Sequence, residues 1–412
     1  MNQRENDMNK KPKVVFSNFK NNWKIFSFYN LANMFLSGGT PSTKEPTFWG
    51  GTIPWIQSSD IQKDILFGVI PQKFISEEGL QNSSAKLIPK NSIAIVTRVG
   101  VGKLAIIDQD YATSQDFLSL SDLNGDTQFI VYSIYRILQK ESAQLQGTSI
   151  KGITKEDLLS KKISLPEFDE QSAIGALFRT VDDLLASYKD NLANYQSLKA
   201  TMLSKMFPNA GQTVPEIRLD GFEGEWEKGT IGEFGSFYYG KSAPKWSVTD
   251  DATTPCVRYG ELYTKFSTKI DKIYSYTSIP KENLKLSSGN EVLVPRVGEN
   301  PLDFANCSWL SLKDVAIGEM ISVYNTPNNP LFIANYFNAK MKKEFAKRVE
   351  GGSVANLYYT YLENISISVP SLPEQQAIGA YFSNLDNLIA THQEKISQLE
   401  TLKKKLLQDM FI

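Results

Sequence analysis

This chain is poor in the residues that carry out chemistry. Among its 412 residues there is one histidine, His392, and there are two cysteines, Cys256 and Cys307. His392 falls at a core position of a heptad pattern, where packing or register is its role, so no Ser–His–Asp or Cys–His arrangement is built on it. Two cysteines give neither a disulfide framework nor metal-ligand spacing and fit a reducing cytoplasm. No apolar run approaches the roughly 18 residues of a membrane span. The polar start, MNQRENDMNKKPK, has no apolar signal core and is expected to be a flexible tail over residues 1–14. Net charge is also scarce: 44 basic residues face 45 acidic ones, for a formal charge of −1. A basic surface must therefore be local, or shared with other subunits. Nucleotide signatures fail as well. TRVGVGKLA has Thr97 where a phosphate-binding loop needs glycine and Leu104 where it needs Ser or Thr. NTPNNP, residues 325–330, is not the Asn-Pro-Pro-aromatic tetrapeptide of amino-methyltransferases, and no glycine-rich strand-to-helix turn offers to hold S-adenosylmethionine. The expectation is a non-catalytic chain that holds no cofactor of its own.

What the chain has instead is repetition, which decides architecture before any local motif does. LPEFDEQSAIGALF, residues 165–178, returns about 204 positions later as VPSLPEQQAIGAYF, residues 369–382. Each copy leads into a long charge-rich segment that closes on Met-Phe, at Met206-Phe207 and Met410-Phe411. Upstream, FSNFKNNWKI matches LDGFEGEWEK and aligns Phe19 with Phe222 and Trp23 with Trp226. GGTPS then faces KSAPK, TIPWIQSSDI faces TPCVRYGEL, and NSIAIVTRVG faces NEVLVPRVG, with an offset that drifts as loops of unequal length require. Divergent loops on a shared frame are where separate specificities sit.

Within each half, SIAIVTRV and EVLVPRV read as strands entered from turns, and KISLP and ISISVP as strands stopped by proline. Residues 129–145 and 332–348 have helical spacing. The turns after them, from Gly147 and from Gly351, either end a helix or let backbone amides approach a phosphate. The result is two α+β domains of about 150 residues each. In the long segments Ile174, Val181, Tyr188, Tyr195 and Met202 recur every seven residues, with Leu177, Leu184 and Leu198 between them. Ile378, Leu385, His392, Leu399 and Leu406 keep the same step, supported by Tyr381, Leu388 and Leu402. Such heptads predict coiled-coil pairing. Helices of this length, about 55 Å at 1.5 Å per residue, exceed one turn of B-DNA, about 34 Å. Packed antiparallel, they would act as a rigid spacer.

These phrases together, LPxxxEQxAIGxxF opening both helices, the Phe-x-x-x-Trp pair, GGTPS, IPWIQSSDI and ATSQDF, resemble the specificity subunit of Type I restriction-modification enzymes over nearly the whole chain. The resemblance implies target-recognition domains at 15–168 and 211–372, a central spacer helix at 169–210 and a C-terminal one at 373–412, paired as an antiparallel coiled coil. Each domain would read one half of a bipartite sequence in double-stranded DNA. The helices would set the spacing and dock methyltransferase subunits, two of them, which bind S-adenosylmethionine and connect to restriction/translocase subunits. The chain would be cytoplasmic and off the membrane. Arginine reads guanine and Asn or Gln reads adenine, while basic groups hold phosphates. The DNA-binding candidates are therefore Lys44, Ser58, Arg98, Lys103, Ser114, Gln115 and Lys151 in the first half. In the second they are Lys241, Lys245, Arg258, Tyr259, Arg296 and Asn300. Arg98 and Arg296 lead, because both copies place arginine before Val-Gly after a β-rich run. Trp23 and Trp226 are expected to be core anchors. Two other classes stay open on sequence alone: a solitary methyltransferase or nuclease with unfamiliar motifs, and a coiled-coil scaffold with no DNA role.

Overall fold

The computed structural model describes residues 11–98, 100–144, 152–241 and 244–412. The chain forms two compact units, one from residues 1–189 with 394–412 and the other from residues 190–393. In the first unit, β1 (Lys24–Ser27), β2 (Ala32–Ser37), β3 (Ser92–Val96), β4 (Leu104–Ile107), β5 (Phe117–Leu123) and β6 (Lys162–Leu165) carry the frame. A four-stranded antiparallel sheet has the order β2-β5-β3-β4. Of its two inner strands, β3 reads Ser-Ile-Ala-Ile-Val and is buried on both faces, as a near-continuous apolar run should be. A three-stranded sheet, built on Trp49–Ile56, packs beside it. β1 pairs antiparallel with β6, Lys24 opposite Leu165, so the strand that enters the unit is zipped to the one that leaves it.

The second unit repeats this plan with β7 (Glu227–Thr230), β8 (Ser236–Tyr239), β9 (Lys269–Ile270), β10 (Glu291–Pro295), β11 (Ser308–Leu310), β12 (Ile321–Asn325) and β13 (Ser366–Val369). Its main sheet runs β8-β12-β10-β11-β9, the same four-strand order with one short parallel strand added. The zipper recurs as β7 against β13, Glu227 opposite Val369.

Besides shorter helices, the units carry α1 (Thr127–Gln144), α2 (Phe168–Lys205), α3 (Pro330–Lys340) and α4 (Leu372–Asp409). The helix expected over 332–348 is interrupted at Met341, where a second helix begins at Lys342. The apolar face runs through the break, because Phe337, Met341 and Phe345 are all buried at four-residue steps. Met341 N–H still donates to the Phe337 carbonyl at 3.0 Å, and Phe345 N–H donates to that of Met341 at 2.8 Å.

The repeated EQxAIG phrase fastens α2 and α4 to their units by one device used twice. Gln171 Nε2 donates to the Pro166 carbonyl at 2.9 Å, while its Oε1 accepts the Asp126 N–H at 3.0 Å. Gln375 does the same between the Pro370 carbonyl and the Asn329 N–H, both at 2.8 Å. Each glutamine thus ties the proline that stops a strand to the residue that opens α1 or α3. Those openers cap the helices, Asp126 accepting from Phe129 N–H and Asn329 from Phe332 N–H. In the first copy the glycine is required by the close approach: a Cβ on Gly175 would lie 2.5 Å from Asp126 Oδ1, against 3.3 Å between one on Gly379 and Asn329 Oδ1.

The Met-Phe endings complete two matching aromatic clusters. In the first unit Phe411 contacts Trp23, Phe129 and Phe178. In the second, Phe207 contacts Trp226, Phe332 and Phe382. Trp23 and Trp226 are core residues, as expected.

The helices pair antiparallel, the first part of α2 with the end of α4 inside the first unit, and the end of α2 with the start of α4 inside the second. The seven-residue series is part of the seam: Ile174, Val181, Ile378 and Leu385 are buried, and Tyr188, Tyr195, Met202, His392, Leu399 and Leu406 are half-buried. The intermediate positions are corrected, since Leu184, Leu198, Leu388 and Leu402 are exposed. The seam turns to the other flank, through Phe178, Leu185 and Leu192 on α2 and Phe382, Ile389 and Ile396 on α4. Each step is thus four residues and then three. The i+4 flank won because it carries the phenylalanines that the aromatic clusters need. Two lysines stand in this seam at equivalent places, Lys199 paired with Asp386 and Lys403 with Asp182.

If the phenylalanines close the two units independently, Phe411→Ala should destabilise the first by about 3–5 kcal/mol. Hydrogen exchange should then rise across β1, β6 and α1 and stay unchanged in β7, β13 and α3. Phe207→Ala should give the reverse.

Candidate nucleic-acid interface

The candidate residues of the first unit gather where three strands end. Ser58 follows Trp49–Ile56, Arg98 follows β3, and Ser114 and Gln115 precede β5. Backbone bonds lace these ends together: Ser114 N–H donates to the Ile56 carbonyl at 3.0 Å, and Thr97 N–H donates to the Asp116 carbonyl at 2.7 Å. Lys103 reaches over a turn with Gly100 and Gly102 at positive φ, and its Nζ donates to the Ser58 carbonyl at 3.3 Å. Arg98, Gln115 and Lys44 are exposed, whereas Ser114 is buried and its hydroxyl donates to the Asp116 carboxylate. Gln115 accepts from Thr40, which places GGTPS on the same rim. Lys151 lies outside the described residues.

A corresponding rim forms in the second unit around residues 317–321. Lys241 N–H donates to the Ile317 carbonyl, Gly318 N–H to that of Val257, next to Arg258, and Arg296 N–H to that of Met320. Three candidates thus meet on one loop, and Tyr259 adjoins them with an exposed ring. Lys245 is exposed at the start of a single turn, Lys245–Ser247. Asn300 caps Pro301–Ala305, accepting from Leu302 N–H and donating to Asp303, so its amide is already engaged.

Arg296 has the most defined surroundings. Its guanidinium carbon lies 4.3 Å from the ring centre of Tyr239 and 5.4 Å from that of Tyr358. Nη1 makes one long contact, 3.5 Å, to the Glu319 carbonyl, while Nε is buried with no acceptor among the described residues. Cation–π stacking fixes the plane of the fork, and Nη2 has no acceptor among the described residues. Burial raises the Tyr239 phenol above its usual range, against the opposing pull of Arg296. Tyr239, Tyr358 and Tyr359, whose ring centre lies 4.6 Å from that of Tyr239, are not among the sequence candidates, although the runs FYYG and YYTY mark them. Trp246, beside Lys245, is also missed; it is 73% exposed, the most solvent-facing of the large apolar side chains described.

The nucleophiles lie elsewhere. Both cysteines are buried, and burial pushes the Cys256 thiol up to about 11 and raises that of Cys307. His392 is in the helix seam, edge-on to Tyr195, with Nδ1 at 2.8 Å from the Leu388 carbonyl. Among the described residues no cluster of His, Cys, Asp and Glu suits a metal ion, and no helix is long and apolar enough to cross a membrane.

Two equivalent strand frames with two unlike rims match a known pattern. The family model for the Type I restriction modification DNA specificity domain fits the chain twice, over residues 20–194 and 223–401. The chain belongs to this family. The specificity subunit of the Type I restriction enzyme MjaIX from Methanocaldococcus jannaschii is 22% identical over 98% of this chain and 94% of its own length. That of EcoR124I/EcoR124II from Escherichia coli is 32% identical over a shorter stretch, 38% of this chain and 40% of its own. The crystal structure of a Type I S subunit from M. genitalium superposes with a TM-score of 0.62 at 16% identity, covering 98% of this chain and 99% of its own, and so shares the fold. Both specificity domains therefore have the architecture expected, each followed by a long helix of the antiparallel pair.

Removing the stacking should be visible without DNA. Tyr239→Ala should free the Arg296 side chain, seen as faster guanidinium proton exchange by NMR, with a loss of stability of about 1 kcal/mol or less for an exposed cation–π contact.

Proposed function

We propose that this chain is the DNA-recognition subunit of a Type I restriction-modification complex, each unit reading one half of a bipartite target. The observation that carries this reading is the pair of matched frames with unlike rims. Lys44, Ser58, Arg98, Lys103, Ser114, Gln115 and Lys151 serve the first half-site, and Lys241, Lys245, Arg258, Tyr259, Arg296 and Asn300 the second. Ser114, being buried, acts by shaping the rim, and Asn300 by holding its loop. Arg296 reads guanine: a stacked fork with unsatisfied donors fits the O6 and N7 acceptors of the major-groove edge. The lysines neutralise phosphates.

In this reading the paired helices set the spacer and dock two methyltransferase subunits. Those subunits hold S-adenosylmethionine, perform the methyl transfer and connect to the restriction/translocase subunits. The work is cytoplasmic, and no cofactor binds this chain. Recognition and catalysis are divided between chains, which agrees with a protein rich in positioned donors and poor in accessible nucleophiles.

Replacing residues 1–168 by the corresponding half of a relative should alter one half-site in methylome sequencing and leave the other intact; an unaltered target sequence would refute the assignment. Inserting one helical turn near Asn191 should lengthen the nonspecific spacer, with both half-sites preserved. Arg296→Ala should cost about 1–3 kcal/mol of discrimination at one base of the second half-site. Lys241→Ala should weaken binding to all sequences alike and lower the salt slope by about one.

A further inference from the structure

The second unit meets the buried carboxylate at its helix opening with an arginine of its own, and the first unit does not. In the second unit, Arg218 forms a fork to the buried Glu374, Nε to Oε1 at 2.8 Å and Nη2 to Oε2 at 2.7 Å. Two of its three remaining N–H groups donate to the Glu223 and Gly224 carbonyls. The repeat places Glu170 opposite Glu374, Lys20 and Asn21 opposite Glu223 and Gly224, and Val15 opposite Arg218. The carboxylate and the carbonyl loop are therefore kept, and valine stands where the second unit has its guanidinium.

The consequences are visible in both copies. Glu170 is 3% exposed, and its one side-chain bond among the described residues is a long one, 3.3 Å from Trp23 Nε1. No described residue forms an ion pair with it, and burial, with Glu167 nearby, raises its carboxyl above the usual range against the opposing pulls of the Trp23 N–H and the more distant Lys11 ammonium. In the second unit Arg218 takes both carboxylate oxygens, and Trp226 Nε1 is left buried with no acceptor among the described residues. Beside Glu170 lies a cleft of about 380 Å³ lined by Ser17, Asn18, Lys20, Asn21, Glu167 and Glu170. Its loop already draws one cation, since Lys11 Nζ donates to the Lys20 carbonyl at 2.8 Å. A buried carboxylate facing a cleft is costly until a partner with several donors arrives, and a planar fork suits both the carboxylate and the adjacent carbonyls.

We propose that this cleft is a socket for an arginine side chain of a partner protein, which fills in trans the place that Arg218 fills in cis. The partner meant is the methyltransferase subunit, so this part rests on the reading above. The socket begins at the first turn of α2, next to the glutamine that fastens this helix to its unit. An arginine seated there neutralises Glu170 and braces that joint.

The socket is tested first with N-acetyl-L-arginine methylamide titrated into the full-length chain by calorimetry. The probe should bind, with N-acetyl-L-lysine methylamide at least fivefold weaker. Glu170→Gln, which keeps the bond from Trp23, and Val15→Arg, which supplies the fork in cis, should each weaken it at least tenfold. Val15→Arg should also raise Tm, showing that it is folded. Equal probe binding by the parent chain and Glu170→Gln would overturn the socket. In the complex with its own methyltransferase subunit, both variants should lower assembly affinity at least tenfold, and parental affinity in both would overturn the proposed occupant. A parent chain that does not assemble with the methyltransferase at all would overturn both the occupant and the functional reading, while the probe still decides the socket.

Discussion

Each half of this protein depends on a phenylalanine delivered by a long helix. Phe411 enters the cluster of Trp23, Phe129 and Phe178, and Phe207 enters that of Trp226, Phe332 and Phe382. Ring packing of this kind is directional as well as apolar, so it fixes where a helix ends and not only that it is buried. Once the rings are seated, the helix above them has no freedom of register. The clasps at Gln171 and Gln375 fix the other end of each helix by hydrogen bonds to a proline carbonyl and a helix-opening N–H. Each long helix is thus held at its start by a glutamine and at its end by a phenylalanine.

The seam between the helices shows why ion pairs are used there. Lys199 and Lys403 occupy core-facing positions where a leucine would pack better, and each meets an aspartate, Asp386 or Asp182, one residue past a seam position on the other helix. Half-buried pairs contribute little net stability, because desolvation offsets much of the attraction. Their effect is on alternatives. A slip of one heptad would leave a buried ammonium without its carboxylate, and such a loss is penalised far more than the pair is rewarded.

Much of this was legible in the sequence because the frame is a repeat and repeats state their own constraints. The EQxAIG phrase, the Phe-x-x-x-Trp pair and the strands around Arg98 and Arg296 announced two α+β units with long helices, and the architecture followed. The seam was half legible. Seven-residue spacing fixes one row of a coiled coil but leaves open which neighbouring row completes it, and the leucines at Leu184, Leu198, Leu388 and Leu402 pointed to the wrong flank. Only the tertiary demand for Phe178 and Phe382 in the aromatic clusters decides between them. Less of the rim was legible, because stacking of Arg296 on Tyr239 and Tyr358 joins three segments far apart in the chain, with no periodicity to reveal it. Ser114 illustrates the opposite error, a polar residue in a family-like phrase that turns out to be buried.

The two units also show how one frame tolerates change without loosening. At the buried glutamate of the helix opening, the second unit satisfies the carboxylate fully with Arg218 and leaves the Trp226 N–H unbonded. The first satisfies the indole weakly and leaves half the carboxylate open. Neither solution meets every donor and acceptor, and an unmet buried polar group carries a penalty of about 1–3 kcal/mol. Beneath this glutamate, a tryptophan, two helix phenylalanines and the phenylalanine of the Met-Phe ending meet in both units. Divergence is thereby confined to groups that face outward from that cluster. The same logic applies to the rims, where loops of unequal length rise from strands of equal order, and near-zero net charge leaves each rim's own donors, rather than a global field, to decide what it holds.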